Sequence, residues 1–376
     1  MKKVVIALSG GVDSSVSAYL LKKKGYEVIG IFMYNWSNNN CMWEDIRDAM
    51  LISNKLKIPF YVLDLRKEYR KGVINYMYEG YKKGITPNPD IICNEKIKFG
   101  VFLKKALKLK VDYIATGHYV RKKEINKEKK YCILSGKDEI KDQSYFLCRL
   151  NQYQLSKSLF PLGNMTKKEV RELAIKLKFY NAYKKDSQGL CFVGKIKLIK
   201  FLQKKIKQKI GDIYYIYSKK KKNIKNIKNE NEYENIYNYK IIGKHYGNYY
   251  FTIGQRKHLN IKGYKYPLFL FYKNKNRNIL YVCKKNHKEL YKKFIFIKKN
   301  TIHWIRKKYI LNLIKKKKGK IKVMCKIRYN QKMEKASLLF NNLGVLVKFD
   351  KNQFAVTPGQ FIVWYINKEL IGSGII

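Results

Sequence analysis

Apolar residues in the first part of the chain come in short runs, separated by stretches where they recur at helical spacing. Val4 to Ala7, Val28 to Met33, Pro59 to Leu65 and Val111 to Thr116 have the length and character of strands. Ser15 to Lys24, Trp43 to Lys57 and Lys96 to Lys108 have the pattern of helices. This alternation predicts α/β architecture with a doubly wound parallel sheet. Ligands of such sheets bind beyond the carboxyl ends of the strands. Ser9 to Ser15, Met33 and Thr116-Gly117-His118 fall at strand ends and are expected to line one crevice.

Later the pattern changes. Lys167 to Lys178 and Ile196 to Lys209 read as helical, and Asp212 to Tyr217 and Tyr249 to Ile253 as β-like. Between those two β-like runs, Ser218 to Asn238 is mostly Lys, Asn, Glu, Ile and Tyr, the composition of a surface loop. From about residue 290 the chain reads as all-β, with strands at Lys320 to Tyr329, Lys335 to Phe340, Gly344 to Phe349 and Gln360 to Ile366. Asn341-Asn342 and Asp350-Lys-Asn352 read as hairpin turns, and the whole as a small barrel.

A length of 376 residues allows two or three domains. The 82 Lys+Arg against 27 Asp+Glu give a formal net charge of +55, whose natural partner is a polyanion. An AT-rich coding bias toward Lys, Asn, Ile and Tyr accounts for part of that charge. No long uncharged apolar span is present, and the first apolar run is too short and too early for a secretory signal. A cytoplasmic protein with no membrane partner is expected. The seven cysteines are odd in number, and no two lie within four residues of each other. That spacing argues against a disulfide scaffold and a CxxC zinc site. No metal site is expected, and any important cysteine should act as a thiol.

Leu8-Ser-Gly-Gly-Val-Asp-Ser-Ser15 joins the first strand to the first helix. Glycines let the backbone approach an anion, and the N–H groups of the turn and helix start point at it. No lysine follows in the Walker position. The string resembles the signature of the PP-loop ATP pyrophosphatases, which grip the pyrophosphate half of ATP and leave AMP on a substrate oxygen. Asp13 suits either a magnesium ligand or a helix cap.

Gly84 to Phe99 is a second dense motif, stiffened by two prolines. A helix beginning near Asn94 would put Cys93 at its N-terminus, where the dipole favours a thiolate. Asp90, three residues earlier, is within reach of a proton transfer. Cys191 follows Gly189, whose turn would expose the thiol. Gly189 to Lys195 imitates a Walker motif, but Ile196 stands where Ser or Thr is required.

Taken in order, Ser9 to Ser15, Thr86-Pro-Asn-Pro-Asp-Ile-Ile-Cys-Asn94, Ala115-Thr-Gly-His-Tyr119, Lys141-Asp-Gln-Ser-Tyr-Phe146, Asp186-Ser-Gln-Gly-Leu-Cys-Phe192, Gly254-Gln-Arg256 and Thr357-Pro-Gly-Gln360 resemble the bacterial tRNA-specific 2-thiouridylases over nearly the whole chain. The resemblance implies a PP-loop domain at 1–195, a small central domain at 196–285 with an insertion at 218–238, and a C-terminal β-barrel at 286–376. It implies that Ala7, Leu8, Ser9, Gly10, Gly11, Val12, Asp13, Ser14, Met33 and Gly117 bind ATP, accompanied by Mg²⁺. Asn88, Pro89 and Asp90 would hold the target base. Cys93 would be the nucleophile and Cys191 the persulfide carrier, with Asp90 beside them. His118, Lys141, Asp142, Gln143, Arg328, Tyr329 and Gln360 would touch tRNA. The implied partners are the tRNAs for Lys, Glu and Gln and a cysteine desulfurase or sulfur-relay protein, with the enzyme itself a monomer. Trp36, Tyr119 and Tyr329 are candidates for stacking on a flipped base, each set against the alternative of a core or rim aromatic.

Two rival readings stay open at this level. Another PP-loop enzyme, such as a tRNA lysidine synthetase or an amide-forming synthetase, would use an amine and need no thiol pair. A non-catalytic RNA-binding protein would keep only a relic nucleotide site. A membrane-surface protein has no amphipathic anchor in this sequence.

Overall fold

A computed structural model describes residues 1–36, 41–186, 198–219, 233–259, 261 and 263–376. Among the described residues the first sheet has five parallel strands, in the order Phe60–Asp64, Glu27–Tyr34, Lys3–Ala7, Tyr113–Ala115 and Ser158–Leu159. Val5 lies between Ile29 and Ile114 in register. The chain winds outward from Lys3–Ala7 on one side, then returns to continue on the other. The order therefore reverses beside the first strand, and the carboxyl end of that strand is the natural binding crevice.

Side-chain alternation along the first strand assigns the layers. Val4 and Ile6 pack on one face with Val12, Val16, Ile52 and Val170. Val5 and Ala7 pack on the other with Ile97, Phe99, Phe102 and Leu103. Helices thus cover both faces, which explains the unbroken apolar run.

The central sheet has the order Leu268–Asn274, Ile279–Lys284, Gly211–Lys219 and Tyr237–His245. Its aromatic face includes Tyr214 stacked on Tyr239 at 4.7 Å between centroids. Of the expected loop at 218–238, the ends are ordered into elements. The strand runs to Lys219, Tyr233–Ile236 is a short helix, and the next strand starts at Tyr237. Tyr233 packs on Phe271 and Tyr272, which fixes that end. Residues 220–232 lie outside the described residues.

The third sheet is antiparallel and runs through Tyr291–Lys298, Gly344–Phe354, Glu334–Asn341, Lys320–Lys326, Phe361–Ile366 and Glu369–Ile375. A hairpin from the first half of the chain, Val120–Ile125 with Lys130–Ser135, extends it by pairing Ile133 with Leu370. The parallel-sheet and β-rich halves are therefore joined by backbone ladder bonds.

Several local expectations are corrected. The run Tyr249 to Ile253 is not a strand: Asn248–Tyr250 is a 3₁₀ turn. It is anchored by bonds that are not ladder pairs, with Asn248 bonded to Asn274 and Asn278 and the Tyr250 hydroxyl bonded to the Ile206 carbonyl. The C-terminal region is not all-β, because Lys307–Lys316 is a helix. Ile310, Leu313 and Ile314 face the barrel at helical spacing, among lysines that mask the pattern in sequence. Asn341 makes the expected turn, its carboxamide accepting from the Leu343 and Gly344 amides. Asp350 to Asn352 do not turn the chain. The strand continues through them, with an irregularity where Lys292 pairs Gln353 and Phe294 pairs Lys348. The stretch 196–209 is helical only over Leu198–Gln203 among the described residues.

Candidate active site

The cradle is built at the carboxyl end of Lys3–Ala7. Gly10 has φ +72°, and a Cβ there would lie 2.3 Å from the Asp45 carbonyl oxygen, so only glycine fits. Gly11 caps the helix Val12–Lys23 with extended backbone and no side-chain cap, which leaves the first-turn N–H groups to a ligand. Ser14 turns inward: its hydroxyl accepts from the Ser9 amide at 3.2 Å and donates to the Gly11 carbonyl at 2.9 Å. The hydroxyls of Ser9 and Ser14 are 3.2 Å apart. Asn181 braces the loop from outside, donating at 2.9 Å to the Gly10 carbonyl and to the Ser15 hydroxyl. Gly117, after the neighbouring strand, lies against the helix start, where a Cβ would come within 3.0 Å of the Ser14 nitrogen. Ala7, Leu8, Val12 and Met33 reach the same edge, but their side chains are buried in the core.

The second motif lies on the opposite face of the sheet. Asn88 caps a helix that starts at Pro89, its carboxamide oxygen accepting from the Ile91 amide at 3.2 Å. The helix begins five positions before the expected Asn94. Cys93 therefore sits one turn inside it and is buried, so the helix terminus does not act on its thiol. From Cys93 to Phe102 the helix is wound as a π-helix. The widened turns leave carbonyls that Gln154 satisfies, its amide nitrogen donating to Glu95 at 3.1 Å and Phe99 at 2.9 Å. This helix leads into the parallel strand Tyr113–Ala115 and so runs antiparallel to the sheet. Its beginning, with Asn88 to Cys93, thus lies at the same carboxyl edge as the cradle.

The loop before that helix is held from two remote parts of the chain. The Thr86 amide donates to Pro358, and its hydroxyl is 3.1 Å from that of Thr252. Gln360 donates to the carbonyls of Thr86 at 2.8 Å and Pro87 at 3.3 Å, and accepts from Asn88 at 3.3 Å. Asn88, Pro89 and Asp90 remain half-buried at the surface.

The residues implied as RNA contacts fall into two groups. Lys141, Gln143, Arg328, Tyr329 and Gln360 are half-buried. Tyr329 packs on Phe146 at 4.4 Å between centroids, and Arg328 bonds Ala355 and Thr357. His118 and Asp142 are buried. His118 shares a 2.7 Å bond with Thr116, and burial, aided by the charge of Lys98, pushes its pKa well below the usual histidine value. Asp142 accepts from Gly136 and Ser144 and lies 3.9 Å from Lys326. In this structure these two offer RNA almost no surface. Of the stacking candidates, Trp36 packs on Phe201 at 5.7 Å. Tyr119 is corrected: its ring is buried and its hydroxyl donates to Asp13 at 2.7 Å, so it presents no face to a base.

An ion network at the cradle was not legible in the sequence. Lys167 reaches Asp13 and Asp186, each at 2.7 Å. Lys141 and Arg171 also bind Asp186, at 2.7 and 3.0 Å. Burial pushes the Asp186 carboxyl up, but its bonds to Lys141 and Lys167 outweigh that and hold it at about 2. Asp186 opens the motif carrying Cys191. Residues 187–197, Cys191 among them, lie outside the described residues.

Three family models match the chain end to end: a tRNA methyl transferase HUP domain over 2–195, a tRNA methyl transferase PRC-barrel domain over 199–284, and an aminomethyltransferase β-barrel domain over 296–376. The tRNA-specific 2-thiouridylase MnmA of Karelsulcia muelleri is 57% identical over all of this chain and 98% of its own length. This chain belongs to the tRNA-specific 2-thiouridylases. The enzyme of that name from Flavobacterium johnsoniae is 48% identical, with both chains fully covered. A solved 4-thiouridine synthetase–RNA complex with bound ATP aligns over 54% of this chain and 50% of that one, at 16% identity and a TM-score of 0.35. The three matched domains follow one another along the chain at 2–195, 199–284 and 296–376.

Proposed function

We propose that this chain is an ATP-dependent tRNA-uridine 2-sulfurtransferase, converting the wobble uridine U34 to 2-thiouridine with release of AMP and pyrophosphate. One observation carries the reading. A phosphate cradle and a cysteine-bearing helix approach the same edge of one sheet from opposite faces, in a chain of this family.

The chemistry assigns work to each part. The uracil C2 oxygen is a poor leaving group. Held in line, it attacks the α-phosphorus of ATP, the bond to pyrophosphate breaks, and the cradle at Ser9 to Ser14 retains the pyrophosphate. The terminal sulfur of a persulfide on Cys191 attacks C2, and AMP leaves with the original oxygen. The Cys93 thiolate then attacks the Cys191 sulfur, releases 2-thiouridine and leaves a Cys93–Cys191 disulfide, which a thiol reductant reopens. If Cys93 attacks the persulfide first, hydrosulfide is freed to attack C2 and the same disulfide results. Asn88, Pro89 and Asp90 hold the base, and Asp90 moves a proton. Among the described residues no group of three His, Cys, Asp or Glu is placed to hold a metal, and Asp13 is bonded to Lys167 and Tyr119. Mg²⁺ would travel on the phosphates of ATP, where it spreads their charge.

The reading extends to a monomer acting in the cytoplasm on the tRNAs for Lys, Glu and Gln, with sulfur from a cysteine desulfurase or relay protein. It divides the chain at 195 and 285 into a catalytic, a central and a barrel domain. No helix among the described residues is long and apolar enough to cross a membrane. The test is mass spectrometry of tRNA after incubation with ATP and a sulfur source. Wild type should exchange oxygen for sulfur at U34. Cys93→Ser and Cys191→Ser should each abolish the exchange while keeping tRNA binding. Full thiolation by either variant overturns the paired-thiol mechanism.

A further inference from the structure

Two charges at the cradle run against local preference. Asp13 occupies the first turn of the helix whose N-terminus faces the phosphates. That placement suits the helix dipole but opposes a polyanionic ligand. Lys167 is the first residue of the helix Lys167–Lys176, capped by Thr166, and a cation there opposes its own helix dipole. Each misplacement offsets the other, since the Lys167 ammonium lies 2.7 Å from the Asp13 carboxylate. The Lys167 side chain is only 14% exposed, so solvent screens this pair weakly.

The groups around the pair fix the local charge. The Tyr119 hydroxyl donates to Asp13, and burial together with Asp13 itself keeps that phenol protonated. Asp186 takes the other side of the Lys167 ammonium and is also bound by Lys141 and Arg171. Asp138 accepts from the backbone amide of Lys167, which fixes where the side chain begins. Three carboxylates, Asp13, Asp138 and Asp186, thus face three cations, Lys141, Lys167 and Arg171. The cluster is balanced only while Lys167 is present.

We propose that Lys167 is a positioning residue for ATP: it cancels the Asp13 charge beside the phosphate cradle, and this neutralisation sets nucleotide affinity. The inference rests on the proposed ATP-binding role of the cradle. It requires no contact between Lys167 and the nucleotide.

The experiment measures ATP dissociation constants by calorimetry on the full-length protein without tRNA, with thermal unfolding of each variant as a check on folding. Lys167→Met should weaken ATP binding by about tenfold or more. Lys167→Arg, which keeps the charge, should stay within about threefold of wild type. The decisive comparison is Lys167→Met made in an Asp13→Asn background. With no carboxylate left to neutralise, the double variant should bind ATP within about threefold of Asp13→Asn alone. A double variant about tenfold or more weaker than Asp13→Asn overturns the proposal in favour of a direct phosphate contact. Unchanged affinity in folded Lys167→Met overturns it outright. Failure of wild type itself to bind ATP would instead refute the function proposed for the cradle.

Discussion

The proposed phosphate cradle and the proposed base loop sit at one edge of one sheet but are held in different ways. The cradle is built mostly by its own residues: Ser14 bonds Ser9 and Gly11, with Asn181 as an outside brace. The base loop is held by Thr252, Pro358 and Gln360, from remote parts of the chain. The first is a local motif on a strand–helix junction. The second takes its shape only when the C-terminal sheet docks. The difference predicts that cradle lesions act on ATP, whereas docking lesions act on RNA chemistry and spare ATP.

The largest effect should follow from Gly10→Ala. A methyl group would meet the Asp45 carbonyl in a backbone conformation that disfavours alanine. ATP binding should be lost, with a stability cost of roughly 1–3 kcal/mol. Calorimetry and thermal unfolding measure both, and retained ATP binding would break the claim that the cradle is locally determined. Gln360→Ala should act more mildly. It removes the hydrogen bonds to Thr86, Pro87 and Asn88 at about 1 kcal/mol each, which should lower thiolation roughly tenfold while leaving the ATP dissociation constant unchanged. A parallel loss of ATP affinity would show that the two regions are not separable.

The smallest effect is on acid stability. Asp186 is held at about 2 against an ordinary 3.8. A depressed carboxylate contributes stability that is present above the ordinary value and lost as pH falls through the folded one. Wild type should therefore lose stability between about pH 4 and pH 2 more steeply than Asp186→Asn, as followed by circular dichroism. Equal slopes would mean that the network anchoring Asp186 adds nothing to the fold.

Much of the first domain was legible in the sequence because its signals are local. Strand runs and the serine–glycine turn are each written within a few residues. The Asn88-Pro89 cap is equally local, yet the two prolines read as a stiff loop and put the expected helix start at Asn94. The helix Lys307–Lys316 escaped notice because its apolar positions are scattered among lysines, and only the barrel surface gives them meaning. Gln154 was missed for a similar reason. Its own helix start is readable from Asn151 and Gln154, but nothing nearby says that its amide satisfies carbonyls on another helix.

By itself the sequence determined the chemistry available: which residues can cradle phosphate, which carry thiols, and which strands can be buried. Those properties follow from side-chain type and short-range spacing. Tertiary structure decided the roles of Lys167, Gln360, His118 and Tyr119, because charge pairing, burial and docking join residues that the chain keeps far apart.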